Sequence, residues 1–131
     1  MEKLKAFAAG FVSTLVFHQG TLALLHAVGL TTRTAYAVAP TWPLHVPAFL
    51  SLAFWGGAWA LALGYVVRRL APRLRWIAWI SLGALLPSLV AWFVVFPLKG
   101  LSLAPEAIAL GLLLNGAWGL GVALFLELTH G

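Results

Sequence analysis

The chain contains no cysteine. Disulfides, thiolate metal sites and cysteine nucleophiles are therefore excluded. Charge is almost as scarce. Charged residues make up 8% of the 131 positions, where a soluble domain carries about a quarter. The acids are Glu2, Glu106 and Glu127 alone. Such a set offers no paired carboxylates at depth for acid–base work, and there is no H-E-x-x-H, C-x-x-C or P-loop. No serine has a context that suggests activation. The length fits one domain and leaves no room for a separate soluble catalytic one.

Apolar residues dominate instead, at 63% of the chain, with a mean hydropathy of +1.00. A soluble core of this size could not hide so much apolar surface, whereas lipid removes the problem. Four apolar stretches run from about Ala6 to Leu30, Pro47 to Val67, Trp76 to Phe96 and Pro105 to Leu128. Each is near the roughly 20 residues that cross a bilayer. The expected fold is all-α, a polytopic membrane protein with a bundle of four transmembrane helices and a single domain. The first stretch is too long for a signal peptide, and His18 and Gln19 interrupt it, so an uncleaved helix is expected.

The net charge of +5 comes from basic residues at helix ends. They serve topology and not nucleic-acid binding, and no nucleic-acid partner is expected. Lys3, Lys5, Arg68, Arg69, Arg73 and Arg75 fall on one side of the four spans, and Arg33 and Lys99 on the other. The positive-inside rule then places both termini in the cytoplasm of a bacterium, with the chain in its inner membrane. In the long link from Thr31 to Val46, Tyr36 and Trp42 suit the headgroup level. Pro47 and Pro105 stand where prolines open helices, and Glu106 sits in a first turn, beside the positive end of a helix dipole.

Small residues spaced by four mark candidate helix contacts, because close backbone approach drives association in lipid. The first helix has Gly10, Thr14 and His18; the second Gly56, Ala60 and Gly64; the fourth Gly111, Asn115, Gly119 and Ala123. A faint repeat, Gly57-Ala58-Trp59 and Gly116-Ala117-Trp118, suggests two related hairpins. Pro87 should disturb the third helix, with Ser88 near enough to satisfy the freed carbonyl.

The most informative feature is Phe17-His18-Gln19-Gly20 in the middle of the first helix. An unpaired polar group in hydrocarbon costs several kcal/mol, so His18 and Gln19 should face protein or water. Asn115 and Ser88 stand at comparable depth in the fourth and third helices. The expectation is a shared midplane cluster of His18, Gln19, Ser88 and Asn115. His26 and His45 allow a relay toward the outer mouth, and Trp59 a wall for a hydrophobic ligand. Histidine titrates near neutrality and can pass protons or hold metal. His18 and His26 lie on one helix and cannot clamp a haem iron from opposite sides. No metal or other cofactor is expected. Glu127 is a candidate partner for Lys5 or for the arginines of the tight turn. Trp42, Trp76, Trp79 and Trp92 fit an interfacial belt, while Trp55, Trp59 and Trp118 lie deeper.

Phe17-His18-Gln19-Gly20, together with Leu52-Ala53-Phe54-Trp55-Gly56-Gly57, resembles small four-helix inner-membrane proteins of proteobacteria that carry no assigned function. The resemblance implies a membrane bundle and no activity. Two readings of function follow from the residues. In the first, the midplane cluster binds or transports an ion, a proton or a small hydrophobic ligand. In the second, the chain is an accessory or structural subunit and the cluster only specifies helix packing. Both suit a bundle that assembles in the bilayer with copies of itself or with another membrane subunit.

Overall fold

The structure, a computed structural model, describes residues 2–41 and 44–129. The expectation that Trp42 sits at headgroup depth falls on a residue outside that range. Four helices are long and apolar enough to cross a membrane: α1 Glu2–Ala27, α2 Ala48–Val67, α3 Pro72–Leu98 and α4 Pro105–Leu128. The chain is an all-α, multi-pass membrane bundle. In hydrocarbon a spanning segment must satisfy its own backbone polar groups, and a helix does so within itself.

Helix ends follow local chemistry more than hydropathy. Pro72 and Pro105 occupy first-turn positions of α3 and α4, where a missing N–H costs nothing. Pro47 stands immediately before α2 in an extended conformation. The C-termini of α1 and α3 close alike. Leu30 N–H donates to Leu25 O and Leu101 N–H to Phe96 O, with Gly29 and Gly100 at positive φ of 81° and 70°. Only glycine takes that conformation without strain, and it ends α1 before the apolar run itself ends.

Two π-helical turns interrupt the spans, at Thr14–His18 in α1 and Ala91–Val95 in α3. The second begins one helical turn after Pro87. Ser88 does not reach the carbonyl of Gly83, the one a proline at position 87 would free. Its hydroxyl donates instead to Ala84 O, the acceptor four residues back.

The helices pack as an antiparallel ring. α1 lies against α2 and α4, α3 against α4, and α2 meets α3 more sparsely. The centre is Trp118 of α4, only 3% exposed. Its indole Nε1 donates to Gly10 O of α1 at 3.1 Å. A methyl group on Gly56 of α2 would stand 3.1 Å from that nitrogen, and one on Gly83 of α3 3.2 Å from the ring carbons. Trp79 of α3 meets Trp118 edge-on, with ring centroids 6.4 Å apart. One side chain thus touches all three other helices, and each touches it through a glycine.

Trp79 is therefore a core residue, 4% exposed, and not part of an interfacial belt. Trp76 and Trp59 are half-buried and packed against the same core. Trp92 lies over Gly111. The Gly-Ala-Trp repeat has no structural equivalence: Gly57 abuts the Phe7 ring and Gly116 the Ala84 methyl. Trp118 is buried where Trp59 is only half so.

Glu127 is exposed and makes no pair with Lys5. Lys5 Nζ donates instead to Thr129 O at 2.6 Å. A cation at the carbonyl end of α4 opposes its negative dipole end, which is a better use of one lysine than a solvent-exposed ion pair.

Candidate functional site

The expected polar residues resolve into two hydrogen-bonded pairs with different partners. On the α3–α4 side, Asn115 Nδ2 donates to Ser88 Oγ at 2.8 Å. Ser88 is fully buried. Its hydroxyl proton goes to Ala84 O, so its oxygen accepts from Asn115 while donating along its own helix. Asn115 Nδ2 and Ser88 Oγ thereby join two helices.

On the α1 side, Gln19 Nε2 and His18 Nδ1 are 3.0 Å apart. Gln19 is 4% exposed, and its Oε1 accepts the backbone N–H of Tyr36 at 2.8 Å. Tyr36 Oη in turn donates to Leu15 O at 2.6 Å. Tyr36 belongs to the link between α1 and α2, so the link reaches down the flank of α1.

The reason lies in unequal helix lengths. Gly10 meets Gly56 at the α1–α2 crossing. Equal steps outward from that contact reach Gln19 on α1 but Pro47, one residue before α2 starts. From Gln19, α1 continues to Ala27, roughly 12 Å further at 1.5 Å per residue. Nothing helical stands opposite that stretch on the α2 side. The link takes the place of the missing turns.

Part of its backbone is paired in a short antiparallel ladder, β1 Pro40–Thr41 and β2 Val46–Pro47. Further bonds run from Ala48 N–H to Ala39 O, Phe49 N–H to Ala37 O and Thr41 Oγ1 to Val46 O. Tyr36 and His45 hold positive φ of 56° and 57°, which the tight path requires. Irregular backbone beside an apolar helix is tolerated only when its groups are paired in this way.

The histidine relay is not formed. His26 is exposed, and its Nδ1 lies 3.2 Å from Thr31 O, at the end of its own helix. His45 is exposed on the link. The link instead meets Gln19 through the backbone N–H of Tyr36 and Leu15 O through its hydroxyl, at a residue that sequence reasoning assigned to the headgroup level. Its signal was weak, since nothing in the residues shows that α2 begins a dozen ångströms below the end of α1.

Sequence reasoning also missed Ser13. Its hydroxyl donates to Trp118 O at 2.6 Å, and Thr14 Oγ1 to Gly10 O at 2.9 Å. Gly10 O thus accepts from both Thr14 and Trp118. Every buried side-chain nitrogen and oxygen among the described residues has a hydrogen-bond partner.

Two concavities flank the bundle. One, of about 230 Å³, is an apolar groove between α1 and α4 lined by Val12, Ser13, Val16, Phe17, Leu124 and Phe125. The other, of about 130 Å³, lies between the end of α1 and the start of α4, beside Arg33 and Glu106. Neither is lined by His18, Gln19, His26, Trp59, Ser88 or Asn115. Compared with family models, curated proteins and solved structures, the chain matches none.

Proposed function

We propose that the chain is a structural or accessory membrane subunit, and that its buried polar groups specify how the helices and the link pack. The observation that carries this reading is that every fully buried side-chain nitrogen and oxygen among the described residues has a hydrogen-bond partner. A conduit needs polar atoms held open to water or a ligand. Here Asn115 and Ser88 are bonded to each other, and Gln19 is bonded to His18 and to the link. Interhelical bonds of this kind contribute about 0.6 to 2 kcal/mol each, enough to fix one register among several.

The placement proposed with it is a bacterial inner membrane with both termini cytoplasmic. Lys3, Lys5 and the four arginines where α2 gives way to α3, Arg68, Arg69, Arg73 and Arg75, stand at the face of the termini, against Arg33 and Lys99 at the other. That asymmetry supports the orientation under the positive-inside rule. An accessory role also entails a partner in the bilayer, a further copy or another membrane subunit.

The test compares stability with flux for His18→Leu. Under this reading the thermal midpoint in detergent falls, and vesicles holding the unaltered chain pass protons no faster than empty ones. Proton flux through the unaltered chain that His18→Leu abolishes, at an unchanged midpoint, would replace it with a transport function.

A further inference from the structure

The turn between α2 and α3 carries Arg68 and Arg69, the start of α3 carries Arg73 and Arg75, and neither carries an acid. Topology alone asks only for positive charge near the membrane surface, and lysine would serve. These arginines are organised further than that. Arg75 is half-buried and spent on the turn itself, its Nε donating to Leu70 O and its Nη2 to Arg68 O, both at 3.0 Å. Arg68 and Arg69 lie against the same ring, with guanidinium carbons 4.9 and 4.5 Å from the Tyr65 centroid. Arg68, Arg69 and Arg73 are all exposed, and the recorded partners of the arginines here are a tyrosine ring and main-chain carbonyls, not carboxylates.

This arrangement is electrostatically costly as it stands. Two like charges share one ring, and Arg73 occupies the first turn of α3, where the helix dipole is already positive and no acid stands. The other charged residues near this face, Lys3 and Lys5 against Glu2 and Glu127, give no net negative charge to offset it. An anion between the arginines removes the cost. Guanidinium pairs phosphate oxygens through two parallel N–H bonds, which an ammonium cannot do. At a helix-connecting turn beside a bilayer, the phosphate present at high local concentration is that of the lipid headgroup.

We propose that this turn is a binding site for anionic phospholipid headgroups, with Arg68, Arg69 and Arg73 holding the phosphate and Arg75 keeping the turn closed. The inference rests on the membrane placement given above and is independent of whether the interior packs or transports.

The experiment is native mass spectrometry of the full chain released from micelles doped with phosphatidylcholine, phosphatidylglycerol or diphosphatidylglycerol, with inorganic phosphate alone as a fourth arm. The anionic lipids should be retained about tenfold or more over phosphatidylcholine, as three basic residues near a lipid surface entail. Diphosphatidylglycerol, with two phosphates, should be retained most. The combined variant Arg68→Gln, Arg69→Gln, Arg73→Gln should reduce retention to the phosphatidylcholine level, whereas Arg33→Gln should leave it unchanged. Arg73→Gln alone, which disturbs neither the Tyr65 stack nor the Arg75 bonds, should lower it by an intermediate factor even if the triple variant does not fold. Equal retention of all three lipids, or retention unaffected by Arg73→Gln, would overturn the proposal. Inorganic phosphate bound as well as the anionic lipids would overturn the lipid as its source in favour of a soluble phosphate.

Discussion

The α1–α2 and α3–α4 hairpins use the same device and finish it differently. Each brings two backbones together at a glycine. In the first, Gly10 lies against the Gly56 carbonyl, and Gly56 against the Thr14 hydroxyl. In the second, Gly119 lies against the Trp79 carbonyl and beside Gly83. Outward from these points the hairpins diverge. The α4 stripe Gly119, Asn115, Gly111 keeps a helix opposite it throughout, meeting Trp79, Ser88 and Trp92 in turn. The α1 stripe Gly10, Thr14, His18 already reaches the first residue of α2, and α1 continues beyond it. Asn115 consequently bonds a side chain on a neighbouring helix, whereas Gln19 bonds the main chain of a link. What a buried polar residue does in this bundle is decided by what stands across from it.

The largest expected effect comes from breaking the shared device. Gly119→Ala would push a methyl group into the Trp79 carbonyl, and Gly10→Ala would do the same at Gly56. Backbone cannot swing aside as a side chain can, so each should cost about 1–3 kcal/mol or more. Gly116→Ala meets only the Ala84 methyl at 3.6 Å, and Gly20→Ala meets nothing within 4 Å. Thermal unfolding in detergent should separate the two classes clearly. Equal midpoints for Gly119→Ala and Gly116→Ala would mean that the helices do not cross at these glycines.

Much of this was legible in the residues. The four spans and the spaced glycines follow from period and composition. α4 begins and ends where its apolar run does. α1 and α3 do not, for a physical reason. Hydropathy marks where a helix enters lipid, but Glu2, Lys3, Arg73 and Arg75 are helical before that point. The pairing of Asn115 with Ser88 was foreseeable as a shared depth, though not as a bond. The link was not legible, because the depth of its docking depends on how far α1 outruns α2, a tertiary quantity. Nor were the π-helical turns, which shift which face each later residue presents.

A middle-sized effect should sharpen the difference between the hairpins. Asn115→Leu removes a bond between helices but orphans nothing, because the Ser88 hydroxyl still donates to Ala84 O. Its cost should be about 0.6–2 kcal/mol, read as a lower midpoint with deuterium exchange rising in α3 and α4 together. Gln19→Leu strips the acceptor from the Tyr36 N–H. It should raise exchange in residues 31–41 and leave α3 and α4 as they were. Exchange that rises everywhere in both variants would merge the two pairs into one cooperative cluster.

The smallest expected effect isolates the link. Tyr36→Phe removes only the hydroxyl that donates to Leu15 O. The carbonyl it leaves lies within the π-helical turn at Thr14–His18, where the helical ladder is already irregular. The ring can still meet Phe49 edge-on, from 6.3 Å between centroids. The loss should be about 0.5–1.5 kcal/mol, the usual net value of one such bond. It should fall on the docked state of the link and not on the bundle, because no helix pair shares that bond. Protease cleavage between Thr31 and Thr41 should therefore quicken several-fold at an unchanged midpoint. A falling midpoint with unchanged cleavage would show the opposite coupling: the link would then be part of the bundle's folding unit, completing the outer end of α2 in energy as well as in space.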